Sequence, residues 1–508
     1  LLVICVDQMR ADHIGCIGNS IIKTPNLDKL AANSTLFRKS YCNNPLCQPA
    51  RSTMFTGLLP RDHGVRINGQ NLRRDIPTLP QVLSDNGYRT HSAGKLHLTA
   101  WDPDPENLNL DIYPENMQSW NSKKISRFPT PYYGFQTVDF VGGHTSYAWG
   151  EYINWLTEKG GEPEMLTMKK ALEEPSGAPF CYKMSLPVEL HYNRYISDST
   201  IRFLEQSAEE SKPFFAWCSF PDPHFPIAPP EPYCSMYNPE HIPFPARRKS
   251  EMEDMPPFYK QILSAEFRPL GVDYSGVQEK HFKEMIALTY GMITHIDKEI
   301  GRIMDTFHRC GLWENTMVVF ISDHGDMMGD HGLMWKGVYT YQGVINIPTI
   351  AYIPYGVKGQ VSGSLISQID LMPSILDFCN IPMPGDDWKE KKYAFERGSM
   401  VSLESYPGKS WLSILKGEAK DVRNDVIIEN DDPSTGYHAR CLVTENFRIT
   451  IYPGTPYGEL FDLRTDPHEL YNLWDKEDYC GIKQELLLKL LHSYCLHTPF
   501  YPIPYGGS

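Results

Sequence analysis

Short apolar runs, unbroken rather than alternating, recur along the chain at Leu1–Val6, Tyr88–Ala93, Phe214–Phe220, Met317–Ser322 and Thr349–Ile353. Runs of this length, rich in β-branched and aromatic residues, suit strands covered on both faces, as in a parallel or mixed sheet. Helical patterns lie between them. In Lys283–Cys310, Ile286, Ile293, Ile296, Ile300, Ile303 and Phe307 recur at helical spacing. The pattern predicts an α/β fold with a large, mostly parallel sheet between helices. Loops are expected at Pro221–Pro232 and Ile381–Gly385, where Pro and Gly cluster. From Asp386 onward the texture changes. Val426–Glu429, Arg448–Tyr452 and Glu459–Asp462 read as short strands, and Gln484–Cys495 as a closing helix. This predicts a main domain over residues 1–385 and a smaller α+β domain over 386–508 with an antiparallel sheet.

Four of the predicted strands end in polar residues. Leu1–Val6 runs into Asp7-Gln8, Tyr88–Ala93 into Gly94-Lys95-Leu96-His97, Phe214–Phe220 into Pro221-Asp222-Pro223-His224, and Met317–Ser322 into Asp323-His324-Gly325-Asp326. Open α/β sheets bind ligands beyond the carboxyl ends of their strands, so four such ends together argue for a site. A strand-terminal Asp alone reads as a helix cap. Asp7, Gln8, Asp323 and His324 together offer oxygens and one imidazole, a set suited to a divalent cation.

Composition narrows the function classes. The 508 residues carry a net charge of −14 with no long basic block, which argues against extended nucleic-acid contact. No apolar run reaches the roughly 20 residues that span a bilayer. The 12 cysteines are scattered without a C-x-x-C pair, unlike a disulfide framework or a structural zinc site. The first residue falls inside a strand-like run, so a removed leader is expected before it, and with it a periplasmic or secreted location.

The segment Leu46-Cys47-Gln48-Pro49-Ala50-Arg51-Ser52-Thr53-Met54-Phe55-Thr56-Gly57 carries the most specific chemistry. Pro49 suits a helix start, which puts Cys47 just before a helix N-terminus, where anions are favoured and a thiol pKa is lowered. Arg51 lies one turn along. On these grounds Cys47 is either reactive or a buried, inert cysteine.

Cys47-x-Pro49-x-Arg51 with Thr56-Gly57 resembles the signature of the formylglycine-dependent sulfatases, of the alkaline-phosphatase-like superfamily. Val6-Asp7-Gln8, Thr24-Pro25-Asn26-Leu27-Asp28, Gly94-Lys95-Leu96-His97-Leu98, His224, Ser322-Asp323-His324-Gly325-Asp326, Lys336-Gly337, Glu459–Leu463 and Asp466-Pro467 are similar to that family in order. The resemblance implies that a maturation enzyme converts Cys47 to formylglycine (3-oxoalanine), whose hydrate attacks sulfur. It implies one divalent cation on Asp7, Gln8, Asp323 and His324: Ca2+ by family habit, with Mn2+ or Mg2+ open. Arg51 and Lys95 are then expected to stabilise the ionised diol. Lys95, His224 and Lys336 would bind sulfate, His97 would act as base, and His224 or Lys336 would protonate the leaving oxygen. His144 and His191 fall in segments that could border the pocket and read as ordinary loop residues.

The expected substrate is a small sulfated carbohydrate such as a glycosaminoglycan fragment, with 2-O-sulfated uronate ahead of 6-O-sulfated hexosamine. The aromatic stretch Trp101–Trp155 offers surfaces for sugar, and Arg61, Arg66, Arg73 and Arg74 are candidates for a substrate carboxylate. Gln8 and His324 stand where many sulfatases have Asp and Asn. That set looks like the phosphonate and phosphate ester hydrolases of the same superfamily, the alternative reaction. A non-enzymatic sugar-binding relative is the third reading, disfavoured because every expected catalytic position is filled.

Overall fold

Leu2–Val6 forms strand β1, and every residue of it is buried, as its unbroken apolar run requires. A computed structural model describes residues 1–102, 113–210, 212–263, 276–384, 406–432 and 435–496. Around β1 gather β2 (Thr35–Tyr41), β3 (Arg89–Gly94), β4 (Thr137–Gly142), β5 (Trp149–Gly150), β6 (Phe214–Phe220), β7 (Val318–Ser322), β8 (Thr349–Tyr352) and β9 (Gln360–Ser367). Their order is β5-β4-β3-β6-β1-β7-β8-β2-β9. The block β4-β3-β6-β1-β7 is parallel, β5 and β8 run against it, and β2 pairs with β9 in parallel. The sheet is therefore mixed and mostly parallel, with helices on both faces.

The long helix Glu279–Arg309 packs on one face, with Ile286, Ile293, Ile296, Ile300, Ile303 and Phe307 all buried. It begins four residues before Lys283 because Gln278 and His281 form a reciprocal cap: the Gln278 N–H donates to His281 Nδ1 at 3.1 Å. On the opposite face the helix Cys47–Thr56 is buried along its whole length.

The C-terminal sheet has four antiparallel strands, β10 (Asp425–Asp431), β11 (His438–Thr444), β12 (Phe447–Ile451) and β13 (Gly458–Asp462), and the helix Cys480–Leu496 closes it. Strand alternation splits its residues between two cores. Val426 and Ile428 join the core of the large sheet beside Phe37 and Trp411, while Ile427, Leu442, Ile449 and Leu460 pack on Leu486 and Leu490. The smaller sheet thus shares a core with the larger one. The boundary at residues 385 and 386 lies outside the described residues.

A buried charge cluster also joins the two sheets. Arg448 reaches Glu459 at 3.2 Å and contacts Glu469, and it donates to Thr340 Oγ1 at 2.8 Å. Glu459 also accepts from the Tyr341 and Tyr452 hydroxyls, both at 2.8 Å. Arg448→Ala would strand two carboxylates without their cation, and removing one member of a buried pair costs about 3–5 kcal/mol. Urea unfolding should show a loss of that size; a loss below about 1 kcal/mol would mean the carboxylates do not depend on Arg448.

Candidate active site

Register brings the chemistry to one level. Val6 pairs with Phe220 and with Ser322, and Gly94 pairs with Ser219 and Phe140. The residues that follow, Asp7, Lys95, Pro221 and Asp323, therefore leave the sheet side by side. Gly94 has φ +99°, and a Cβ there would lie 1.9 Å from the Ser219 carbonyl oxygen, so only glycine fits. Gln8, His97 and Trp335 hold positive φ despite their side chains (63°, 62° and 59°). Such conformations cost about 1–3 kcal/mol each and collect at functional sites.

Cys47 is the first residue of its helix rather than the residue before it, and Leu46 is the N-cap. Neighbouring amides hold this end: Asn44 Oδ1 accepts from the Leu46 N–H at 2.8 Å, and Asn68 Oδ1 from the Gln48 N–H at 3.1 Å. Cys47 Sγ lies 3.1 Å from His324 Nε2, 3.3 Å from Lys336 Nζ and 3.6 Å from Asp7 Oδ1. Burial, helped by Asp7, pushes the thiol pKa up. This corrects the expectation that the helix end would lower it: a sulfur with no solvent and a carboxylate beside it stays protonated.

Arg51, fully buried, spans the two carboxylates. Its Nε donates to Asp323 Oδ2 at 2.9 Å, its Nη2 lies 3.5 Å from Asp7 Oδ2, and its Nη1 donates to Ser219 Oγ at 2.8 Å. Lys95 Nζ also contacts Asp7. Burial alone would raise Asp7, yet the positive charge of Lys95 foremost, with Arg51, holds it well below the usual carboxylate range.

His324 Nδ1–H donates to the Gly325 carbonyl at 2.9 Å, which leaves the Nε2 lone pair facing inward. Asp7 Oδ1 and Asp323 Oδ1 each lie 3.8 Å from that nitrogen. Gln8 spends its Nε2 on the Asp326 carboxylate, and its Oε1 accepts from Lys336 at 2.6 Å. Two buried carboxylates, an imidazole in the ligating tautomer and an amide oxygen fit a divalent cation.

Two lysines and three imidazoles complete the pocket. Lys95 Nζ donates to His144 Nε2 at 2.8 Å, and Lys336 Nζ to His224 Nε2 at 2.7 Å. The His144 and His224 rings stack with centroids 3.6 Å apart. His97 stacks on Trp101 at 3.8 Å, and its Nδ1 has no partner. Burial lowers all three imidazoles, His144 to about 3 and His97 and His224 well below their ordinary value, with neighbouring cations or imidazoles adding to it.

His144 is a pocket residue, contrary to its reading as an ordinary loop residue; it lies two residues beyond β4. His191 instead accepts from the Asn193 N–H and packs on Tyr192 and His295. Glu115 is a further residue that motif reading missed. It is buried, and it accepts from the His97, Leu98 and Thr99 N–H groups, which fixes the loop carrying His97. Of the four candidate arginines, Arg61 pairs with Glu429 and stacks on Tyr494, Arg73 pairs with Asp75, and Arg74 lies over Tyr132 and Tyr133. Arg66 pairs with Asp431 and stays half exposed.

A model of the Sulfatase family matches residues 1–381. An arylsulfatase of Clostridium perfringens is 29% identical over 94% of this chain and 91% of its own. An N-acetylglucosamine-6-O-sulfatase of Bacteroides thetaiotaomicron is 23% identical over 97% and 85%. Among solved structures, a phosphonate monoester hydrolase of Agrobacterium radiobacter superposes with a TM-score of 0.79 at 25% identity, covering 98% of this chain and 95% of that one.

Asp326 ties the site together from behind. Its Oδ1 accepts from the Met328 and Trp335 N–H groups, both at 2.8 Å, while its other oxygen holds Gln8. Loss of a partner that orients a ligand typically weakens metal affinity by about 10–100-fold. Asp326→Ala should show a loss of that size in calorimetric titration of stripped protein with Ca2+ or Mn2+. Unchanged affinity would mean that Gln8 needs no such support or is no ligand.

Proposed function

Because this chain belongs to the sulfatase family and is a sulfuric ester hydrolase, we propose that it removes sulfate from a sulfated carbohydrate, using a nucleophile made from Cys47. The observation that carries this reading is the setting of Cys47: its sulfur is buried 3.1 Å from His324 Nε2, 3.3 Å from Lys336 Nζ and 3.6 Å from Asp7 Oδ1. An unmodified thiol there is a poor nucleophile, and a sulfated thiol would have no easy exit. The sulfatase of Bacteroides thetaiotaomicron that acts on N-acetylglucosamine 6-sulfate supports a sugar ester as substrate.

Asp7, Gln8, Asp323 and His324 would hold the divalent cation, with Ca2+ as first choice. When present, that cation and the hydrated formylglycine supply Lewis-acid polarisation of the sulfate and an oxygen nucleophile able to release it again. Formylglycine requires a maturation enzyme from the host. Arg51 offsets negative charge beside residue 47 while fixing both aspartates. Lys95, Lys336 and His224 are the groups to grip sulfate oxygens as charge develops. His97, whose Nδ1 has no partner, is the residue assigned as base.

The phosphonate reading has a specific observation behind it as well, the superposition on the Agrobacterium radiobacter hydrolase. Comparing kcat/KM on nitrophenyl sulfate and on a phenyl phosphonate ester decides between them. A clear preference for the phosphonate would replace the sulfate reading.

Cys47→Ala should abolish turnover with the fold intact by circular dichroism, and peptide mass spectrometry of active wild-type protein should show the aldehyde at position 47. Activity without the aldehyde would end this mechanism. His224→Ala and Lys336→Ala should be compared on a sugar sulfate and on nitrophenyl sulfate. A poor leaving group needs protonation more, so the proton donor should lose about 10²-fold or more on the sugar. Equal losses on both substrates would reassign these residues to holding sulfate.

A further inference from the structure

Glu115 fixes the backbone of the loop that carries His97, yet it does not touch the ring of that histidine. Among the described residues the His97 ring makes no hydrogen bond, and its Nδ1 is buried without a partner. What the ring does meet is Trp101. The two rings lie within 17° of parallel, with centroids 3.8 Å apart. An imidazole turns about two side-chain bonds, so a neighbour must select its orientation, and here that neighbour is the indole.

Trp101 is itself held in place. Its carbonyl accepts from Asn116 Nδ2 at 2.9 Å and from the Met117 N–H at 3.1 Å. Its ring meets that of Trp149 edge to face at 4.9 Å, and Trp149 Nε1 donates to the Glu115 carbonyl at 3.2 Å. Residues 115–117 thus set both members of the stack, the His97 backbone through Glu115 and the indole through the next two residues. Lys95 Nζ also lies 4.8 Å from the indole centroid, but its ammonium keeps Asp7 and His144 as further partners. The His97 ring has no such second hold. Trp101 Nε1 is buried with no partner among the described residues. An unpaired buried N–H is a cost, so the indole serves here through its ring face, which phenylalanine would also supply.

We propose that Trp101 is a positioning residue for the sulfatase reaction, holding the His97 ring where it acts as base. The proposal rests on the assignment of His97 as base and gives Trp101 no contact of its own with the reacting atoms.

The test is a double-mutant cycle on matured enzyme with nitrophenyl sulfate, at equal aldehyde content at position 47. His97→Ala should lower kcat by about 10²-fold or more, the contribution of a general base. Trp101→Leu should lower kcat by about tenfold without raising KM, because a misplaced base weakens the transition state and not substrate binding. Trp101→Phe should stay within about twofold of wild type, since it keeps a ring face for the imidazole. In the His97→Ala background, Trp101→Leu should cost less than about twofold more, because the ring it positions is gone. If Trp101→Leu folds poorly by circular dichroism, Trp101→Met takes its place, with apolar bulk but no ring. Wild-type kcat without the indole, an equal loss in the His97→Ala background, or a rise in KM alone would overturn the positioning role and leave His97 as base. Wild-type kcat in His97→Ala would overturn the base assignment and the role of Trp101 together.

Discussion

Arg51 lies between Asp7 and Asp323 with none of the three exposed to solvent, and the site depends on that arrangement. Burying two carboxylates is costly unless cations and hydrogen bonds meet them, and here Arg51 and Lys95 do so. The balance is spatial as well as electrical. Arg51 can reach both aspartates because the helix Cys47–Thr56 lies buried under the strand ends, and the aspartates can meet because β1 and β7 are paired in register to their last residues. Ser219, on the level of Gly94 in β6, takes up another N–H of the same guanidinium. A shift in sheet register would break a charge cluster, so fold and site are fixed by one set of contacts.

The C-terminal sheet enters this scheme from the other side. It adds no strand to the large sheet, yet β10 delivers Asn430 to the carbonyl of Gly337, beside Lys336. Arg448 on β12 holds Thr340 and, through Glu459, Tyr341. The segment bearing Lys336 is thus clamped from the smaller sheet, while Asp326 anchors the backbone of Trp335 from the larger one. Lysine is a flexible side chain, and this double anchoring fixes where its ammonium can reach.

Much of this was legible in the sequence, for physical reasons. Strands buried on both faces must be apolar throughout, so β1, β6 and β7 stood out, and Asp, Lys or His directly after such runs had few places to go but the sheet edge. Edge and flanking strands were harder to see. β2 carries Arg38, Lys39 and Ser40, and β9 interrupts its apolar residues with Ser362, Gly363 and Ser364, so neither forms an apolar run. β4 contains Asp139 and ends in Gly142, which hid His144 among ordinary loop residues. Glu115 is distant in sequence from the loop it fixes, and no local pattern points to it. The thiol of Cys47 misled because helix ends and burial push its pKa in opposite directions, and only the structure shows which prevails.

The same competition sets where protons reside in the pocket. His224 Nδ1 faces the Phe225 carbonyl, which can only accept, so in the neutral ring the proton sits on Nδ1 and Nε2 is an acceptor. Burial, the stacked His144 and nearby Lys336 all oppose a second proton on that ring. The N–H in the 2.7 Å contact between His224 and Lys336 is therefore the lysine's. His144 faces Lys95 in the same sense, as an acceptor beside a donor. Each imidazole of the stack orients one ammonium group, that of Lys336 beside Cys47 and that of Lys95 beside Asp7. On this arrangement His224 orients the Lys336 ammonium rather than competing with it for a proton.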